Sequence, residues 1–176
     1  MQDEGKVHVT WLPFELHPDA PAEGIPREAY FGRERSERIH THLRTVAESV
    51  GLTMKPRDVI INSRRALAAA EFAREHGRFE EMHRALFEAH WQGTGKLEDV
   101  DDLVRIGAAA GLDAEALRDA LQSGRYEPLI DENRRAASAV GIDAIPAHIF
   151  DRRYLVVGAQ PYEVLAQVVE RAQAAD

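Results

Sequence analysis

The sequence predicts an α/β protein in which an all-helical segment is inserted into a small β-sheet. Apolar and polar residues alternate over residues 6–14, which is typical of a strand. A long stretch of helical periodicity follows, from about residue 27 to residue 140. Two short apolar runs at 147–150 and 154–157 and an amphipathic segment at 161–174 come last. This order of elements, with a helical block between the first strand and the last two strands, indicates a sheet protein with a helical insertion.

The composition narrows the class of protein. With 176 residues, 44% of them apolar and 30% charged, the chain suits one globular domain with a small insertion. Its net charge of −8 argues against a general nucleic-acid surface, and no run of 18 apolar residues predicts a membrane span. The polar first residues predict no signal peptide, so the cytoplasm is the expected location. The chain has no cysteine, which excludes disulfides, thiolate zinc sites and cysteine nucleophiles within it.

The N-terminal part is expected to be a strand followed by a loop. Val7, Val9 and Trp11 lie on one face of the strand predicted from Lys6 to Phe14, and Pro13 should end its regular pairing. Three prolines and a glycine between residues 17 and 26 predict a loop.

Six helices are predicted between this loop and the two C-terminal strands. Asn62 or Ser63 can cap the second helix and Asp113 the fifth, whereas Gly51 and Gly77 mark helix ends. Pro128 is tolerated in the first turn of the sixth helix. An irregular link is expected from Leu52 to Ile61. The predicted helices span about 27–50, 62–76, 78–92, 97–110, 113–123 and 126–140.

Motifs spread along the whole chain resemble one known family. They are WLPFELHP (11–18) with EG (23–24), NSRRA (62–66), GLD (111–113), GIDAIP (141–146) and VGAQP (157–161). In this order they resemble the DsbA-like thioredoxin proteins of the FrnE type, which look related to 2-hydroxychromene-2-carboxylate isomerases and kappa-class glutathione transferases. The resemblance implies a thioredoxin-like sheet with a closing helix from residues 1–25 and 142–176, and an inserted helical subdomain from residues 26–141.

The resemblance also implies a role for Ile145 and Pro146. In the family the matching proline follows a cis peptide bond and faces the active-site dithiol. The backbone before that proline pairs with a bound peptide or with glutathione. The family class is protein disulfide oxidoreductase, but the thiolate is the nucleophile of disulfide exchange. A cysteine-free chain is therefore expected to bind through this loop without exchanging disulfides.

One departure from the family affects the fold. Family members begin with a strand and a Cys-Pro-x-Cys motif at a helix start, and reach the strand of Trp11 only afterwards. An N-terminal βα unit of about 30 residues is missing here. Its strand would lie between the Trp11 strand and the Ala147 strand. Three explanations stay open: a truncated or mis-started chain, a homodimer or strand-donating partner that completes the sheet, or a Trp11 strand that moves inward.

Other residues are candidates for a ligand site, each with a structural alternative. Backbone N–H groups near Gly158 and Gln160 could hold a carboxylate such as that of glutathione, or simply form a capping turn. Asn62 matches an asparagine near glutathione in the isomerase-like relatives, and also suits a helix N-cap. Trp11 is a candidate contact for substrate but more often such a residue packs in a core. The alternatives to a redox-inactive oxidoreductase relative are thus a glutathione-dependent isomerase or transferase and a non-catalytic peptide-binding module.

Two Glu-x-x-His pairs, Glu37 with His40 and Glu80 with His83, place a carboxylate and an imidazole on one helix face. Two such pairs form part of a di-iron carboxylate bundle. In a chain this rich in glutamate, however, such spacings arise by chance, and strands at both ends fit a bundle poorly. No metal and no obligatory cofactor are therefore expected.

Overall fold

A computed structural model describes residues 5–55 and 57–174. Within these ranges it contains eight helices and four short strands. The strands are β1 (Ile25–Pro26), β2 (Val59–Ile60), β3 (Ala147–Phe150) and β4 (Tyr154–Val157). The helices are α1 (Arg27–Phe31), α2 (Arg33–Ser49), α3 (Arg64–Glu75), α4 (Phe79–Gln92), α5 (Val100–Ala109), α6 (Ala114–Gln122), α7 (Glu127–Ala139) and α8 (Tyr162–Gln173). The chain divides into two compact units: residues 17–131, and residues 1–16 together with residues 132–176.

Helix α3 is the centre of the first unit and contacts α4, α5 and α6. It is short of large side chains on its buried faces, where five alanines lie: Ala66, Ala68, Ala69, Ala70 and Ala73. Phe72 of α3 and larger residues from the surrounding helices complete the core. The largest fully buried apolar side chains are Phe72, Met82, Leu103, Leu117 and Ile130. We call residues 17–131 the helical unit.

Two of the three side chains predicted as helix caps, Asn62 and Asp113, make capping hydrogen bonds. The Asn62 Oδ1 atom accepts the backbone N–H of Arg64 at 3.0 Å, at the start of α3. The Asp113 Oδ1 atom accepts the N–H of Ala116 at 2.8 Å, at the start of α6. Ser63 occupies the N-cap position of α3 but makes no side-chain capping bond. Of the two cap candidates at this helix, it is therefore Asn62 that satisfies an N–H group left free at the helix start.

The prediction of one helix over residues 27–50 was wrong, because the structure has two. Gly32 separates α1 from α2 with φ 76° and ψ 154°. This backbone conformation cannot continue a helix, and a residue without a Cβ atom adopts it at little cost. The apolar stripe of this region thus indicated helix correctly, but it could not show the break.

The predicted loop and link around this helix pair also contain two strands that the sequence analysis missed. β1 and β2 are antiparallel, with Ile25 opposite Ile60 and Pro26 opposite Val59. Gly24 makes this pairing feasible: its φ is +79°, and a Cβ atom there would lie 2.4 Å from Val59 Cγ1 and 2.7 Å from the Ile60 carbonyl oxygen. Strands of two residues are too short to leave a periodic signal.

The N-terminal strand predicted over residues 6–14 was wrong as well. The structure assigns no strand to the described residues before Ile25, and β3 pairs with β4 alone. Alternation of apolar residues favours a strand, but a strand forms only where a neighbouring backbone supplies hydrogen bonds. The hypothesis that the Trp11 segment moves inward to pair with residues 147–150 is therefore also wrong.

The second unit contains the hairpin and the last helix, and the bounds predicted for β3 and β4 are confirmed. The strands pair from Ala147 opposite Val157 to Phe150 opposite Tyr154. Their turn places Asp151 and Arg152 at positive φ. Helix α8 contacts both strands.

The two faces of the hairpin differ in exposure. One face is half-buried, and there the Arg171 guanidinium of α8 lies 5.3 Å from the centre of the Tyr154 ring. The opposite face consists of Ala147, Ile149, Leu155 and Val157, and we call it the open apolar face. Ile149, Leu155 and Val157 are 51%, 42% and 37% exposed there. In the described ranges, no helix is long and apolar enough to cross a membrane.

Candidate functional site

The segment before β3 combines exposure with a fixed backbone anchor. The Ile145–Pro146 peptide bond is cis. The Gly158 N–H donates to the Pro146 carbonyl oxygen at 2.7 Å, which ties this segment to the end of β4. Ile145 is 51% exposed and Pro146 is exposed too. Residues 143–146, which we call the Pro146 loop, thus present an apolar side chain to solvent from an anchored position.

The backbone of Ile145 is available to a ligand. Among the residues that the structure describes, none forms a hydrogen bond with its N–H or its carbonyl group. An extended polypeptide could supply both partners, because backbone donors and acceptors alternate along a strand. The loop therefore offers one donor, one acceptor and an apolar contact side by side.

Gly158 and Gln160 lie in the turn that carries this anchor. Gly158 has φ +87°, and the Gln160 Nε2 atom donates to the Val157 carbonyl oxygen at 3.0 Å. Helix α8 begins after Pro161, whose own carbonyl accepts the N–H of Val164 at 3.1 Å. These bonds give Gln160 a structural role in closing the turn. A ligand role for Gly158 and Gln160 stays a prediction.

Asn62 belongs to the helical unit, where both ends of its amide have protein partners. Its Oδ1 atom caps α3, and its Nδ2 atom donates to the Ala20 carbonyl oxygen at 2.7 Å. The amide thereby fastens the start of α3 to the preceding loop.

Trp11 is exposed, so the interpretation of Trp11 as a core residue was wrong. Contacts of Asn62 or Trp11 with a ligand stay predictions.

The Glu-x-x-His pairs do not form a metal centre in the described part of the chain. No group of three or more histidine, aspartate or glutamate side chains is placed there to hold a metal ion. His83 instead stacks on Phe79 at 5.1 Å between ring centres, and its burial is the main cause that lowers its pKa. The di-iron alternative thus gains no support.

One cluster of polar side chains in the helical unit was not identified from the sequence. Arg57 lies 3.4 Å from His90, and Arg27 donates to the backbone of Arg57. We call Arg27, Arg57 and His90 the cationic cluster. The three residues are more than 25 positions apart from one another, so no spacing rule connects them; only the pairing of β1 with β2 explains why Arg27 and Arg57 are neighbours.

The hairpin, its closing helix and the helical unit together match a known family. Residues 1–170 match the DSBA-like thioredoxin domain. Because this match covers almost the whole chain, the protein belongs to the DSBA-like thioredoxin domain family, as the motifs predicted. Its fold is the DsbA-like thioredoxin fold, a mixed α/β architecture that is mostly helical here.

Individual relatives agree with this assignment. The chain is similar to a probable DsbA oxidoreductase from Streptomyces coelicolor, with a TM-score of 0.84 and 28% identity, over 93% of this chain and 74% of that one. A putative protein disulfide isomerase from Nitrosomonas europaea shares the fold, with a TM-score of 0.65 and 18% identity over 81% of this chain and 75% of that one. The uncharacterized protein YwbO of Bacillus subtilis is 24% identical over 174 residues, which are 95% of this chain and 83% of YwbO.

Proposed function

We propose that this chain is a DsbA-like oxidoreductase relative that binds extended polypeptide at the Pro146 loop and does not itself exchange disulfides. The observation that carries the proposal is a complete absence of cysteine from a chain of an oxidoreductase-like family. Disulfide exchange proceeds by attack of a thiolate on a disulfide sulfur, through a mixed disulfide. These 176 residues offer no sulfur that could form that intermediate, since methionine thioethers do not.

The first prediction concerns this missing chemistry. The purified chain is expected to leave the rate of insulin reduction by dithiothreitol unchanged, because it can form no mixed disulfide. The measurement is the turbidity of precipitating insulin B chain, with a thioredoxin that has its cysteine pair as the positive control. An acceleration that persists after removal of contaminating thiol proteins would refute the redox-inactive proposal.

Binding at the Pro146 loop is supported by its geometry. The Ile145 backbone has no partner among the described residues, and its side chain is exposed beside it. Addition of a strand to a free backbone gives affinity through main-chain hydrogen bonds, and adjacent side chains give selectivity. Such a ligand need not carry a thiol. An unfolded polypeptide segment with apolar residues is the class that matches these groups.

The second prediction tests the loop with a matched pair of substitutions. Ile145→Asp is expected to weaken binding of a fluorescein-labelled, carboxymethylated insulin B chain by about tenfold or more, since it replaces the apolar contact with a charge. Val140→Asp is the control, because Val140 is 56% exposed in the same unit but lies outside the loop. Fluorescence anisotropy measures both affinities. Equal weakening by the two substitutions would contradict binding at this loop.

The same assay separates peptide binding from glutathione-dependent isomerase or transferase activity. Both ends of the Asn62 amide already have protein partners, which favours the peptide over glutathione as the ligand. Carboxymethylated peptide should therefore bind in the presence of excess glutathione. Competition by glutathione would favour the isomerase-like alternative. We expect this function to be exercised in the cytoplasm.

A further inference from the structure

We propose that the cationic cluster of the helical unit is a binding site for a small oxyanion, such as the phosphate or carboxylate group of a metabolite. The inference rests on Arg27, Arg57 and His90 and is independent of the function proposed for the Pro146 loop. The chain as a whole is acidic, with a net charge of −8.

The guanidinium of Arg57 is half-buried and poorly satisfied. Its Nη1 atom lies 3.4 Å from His90 Nδ1 and 3.5 Å from the Gly95 carbonyl oxygen, and both contacts are long. Both acceptors are uncharged, whereas a guanidinium has five N–H donors. No carboxylate within the described ranges forms an ion pair with it. A half-buried arginine without a counter-ion has free donors for an anion.

Arg27 adds a second guanidinium, whose charge also acts on His90. Its Nε atom donates to the Arg57 carbonyl oxygen at 3.1 Å, and its own backbone N–H donates to the Asp58 carbonyl oxygen at 2.7 Å. The guanidinium carbon lies 5.7 Å from the centre of the Phe31 ring. These contacts orient Arg27. Among the described residues, only one of its side-chain N–H groups, that of Nε, donates a hydrogen bond. The nearby carboxylate is that of Asp58, which is exposed and acts on Arg27 through its charge.

The protonation of His90 fits this arrangement. Burial, then Arg57, then Arg27 lower its pKa to about 4, so that the imidazole is neutral at pH 7. Its Nδ1 atom can then accept the hydrogen bond from Arg57. Burial and the charge of Arg27 also lower the pKa of His17, in the loop before β1. Burial is the largest cause of both shifts, and the further lowering by neighbouring arginines indicates a positive potential there, as an anion site requires.

The class of ligand follows from the donors. An arginine fork matches two oxygen atoms of one planar or tetrahedral oxyanion, and it does so better than a lysine ammonium. Trp91, whose ring packs edge-on against His90 at 4.7 Å between ring centres, supplies an apolar surface next to the cluster. A small ligand with one terminal phosphate or carboxylate is the simplest match. A long polyanion is not indicated, since the chain as a whole is acidic.

The test is a titration of the intact chain with sodium sulfate, whose charge does not change over the pH range used. The His90 imidazole resonances are followed by NMR, with sodium chloride at equal ionic strength as the reference. Sulfate should shift these resonances in a saturable way and chloride should not. An added negative charge stabilises the imidazolium, so sulfate is also expected to raise the His90 pKa from about 4. Because the imidazole stays neutral between about pH 8 and about 6, sulfate affinity should be flat over that range and should increase only as the pH falls toward the His90 pKa. A parallel titration with sodium acetate shows whether the site prefers a carboxylate.

Two variants test whether sulfate binds at the cationic cluster. Arg57→Gln should weaken sulfate binding about tenfold or more, because it removes the charged donor. Arg65→Gln is the matched control, since Arg65 is an exposed arginine of the same unit that is not a member of the cationic cluster and, among the described residues, bonds the Glu98 backbone. Unchanged binding in Arg57→Gln, or equal weakening in both variants, would overturn the proposal. If Arg57→Gln does not fold, the wild-type titration decides: His90 shifts no larger with sulfate than with chloride would overturn it.

Discussion

Replacement of Phe72 by alanine is expected to lower the free energy of unfolding by about 3–5 kcal/mol. Phe72 is 1% exposed at the centre of the helical unit. Its ring stacks on His76 at 4.1 Å between ring centres and packs edge-on against Tyr126 at 6.4 Å. Removal of the ring loses its burial and leaves a cavity, which the small alanines around it on α3 cannot fill.

The matched control for Phe72→Ala is Phe87→Ala. Phe87 lies on the adjacent helix α4 but is 55% exposed. Its replacement should therefore cost less than about 1 kcal/mol, as for most surface substitutions. Urea unfolding followed by circular dichroism measures both values. Similar losses in the two variants would show that the core of the helical unit is not where the structure places it.

Self-association of the chain is the second large effect that we expect. The open apolar face carries Ile149, Leu155 and Val157, and no charged residue lies among its four members. Full burial of such a side chain from a fully exposed state is worth about 1.5–3 kcal/mol, and covering the part of each that is still exposed here contributes roughly half of that. The hairpin also has no strand beside it in the described structure, so its outer backbone groups lack partners. A second copy of the chain can cover this face in a two-fold arrangement, because an uncharged apolar face is complementary to itself.

A charge on this face should prevent the association. Light scattering after size-exclusion chromatography is expected to give a dimer mass for the wild-type chain, and Ile149→Lys should weaken the dimer about a hundredfold. Val46→Lys, at a similarly exposed valine of α2, is the control and should leave the mass unchanged. A wild-type chain that stays monomeric at high concentration and unfolds cooperatively with ordinary stability would contradict this proposal. In that case a strand-donating partner of different sequence would also lack support.

The features of the fold that could be predicted are those determined by residues close together in the sequence. Glycines and capping carboxylates mark helix ends through their own backbone and side-chain bonds, and Asp113 caps α6 as predicted. The bounds of β3 and β4 follow from apolar runs around a tight turn, since a hairpin is made by neighbouring residues. The assignment to the DsbA-like family depended on motifs in order along the chain, not on any one residue.

The errors concern features that depend on distant parts of the chain. The segment at Trp11 has the apolar alternation of a strand, but no alternation shows whether a backbone partner is present. The pairing of β1 with β2 depends on Gly24 approaching the Ile60 carbonyl, a contact across 36 positions. The cationic cluster depends on that same pairing. Neither feature has a local sequence signal.

The buried alanines of α3 limit which amino-acid substitutions the helical unit can accept. They set the spacing of α4, α5 and α6 around a central helix that contributes mostly methyl groups. Little volume can be removed there, and a close-packed interior has no space for an added methylene without displacing a whole helix. Substitution of Ala69 or Ala73 by a larger residue is therefore expected to be destabilising. Substitutions on the exposed faces of the surrounding helices should be tolerated. The smallest side chains in the helical unit, more than its largest, fix its dimensions.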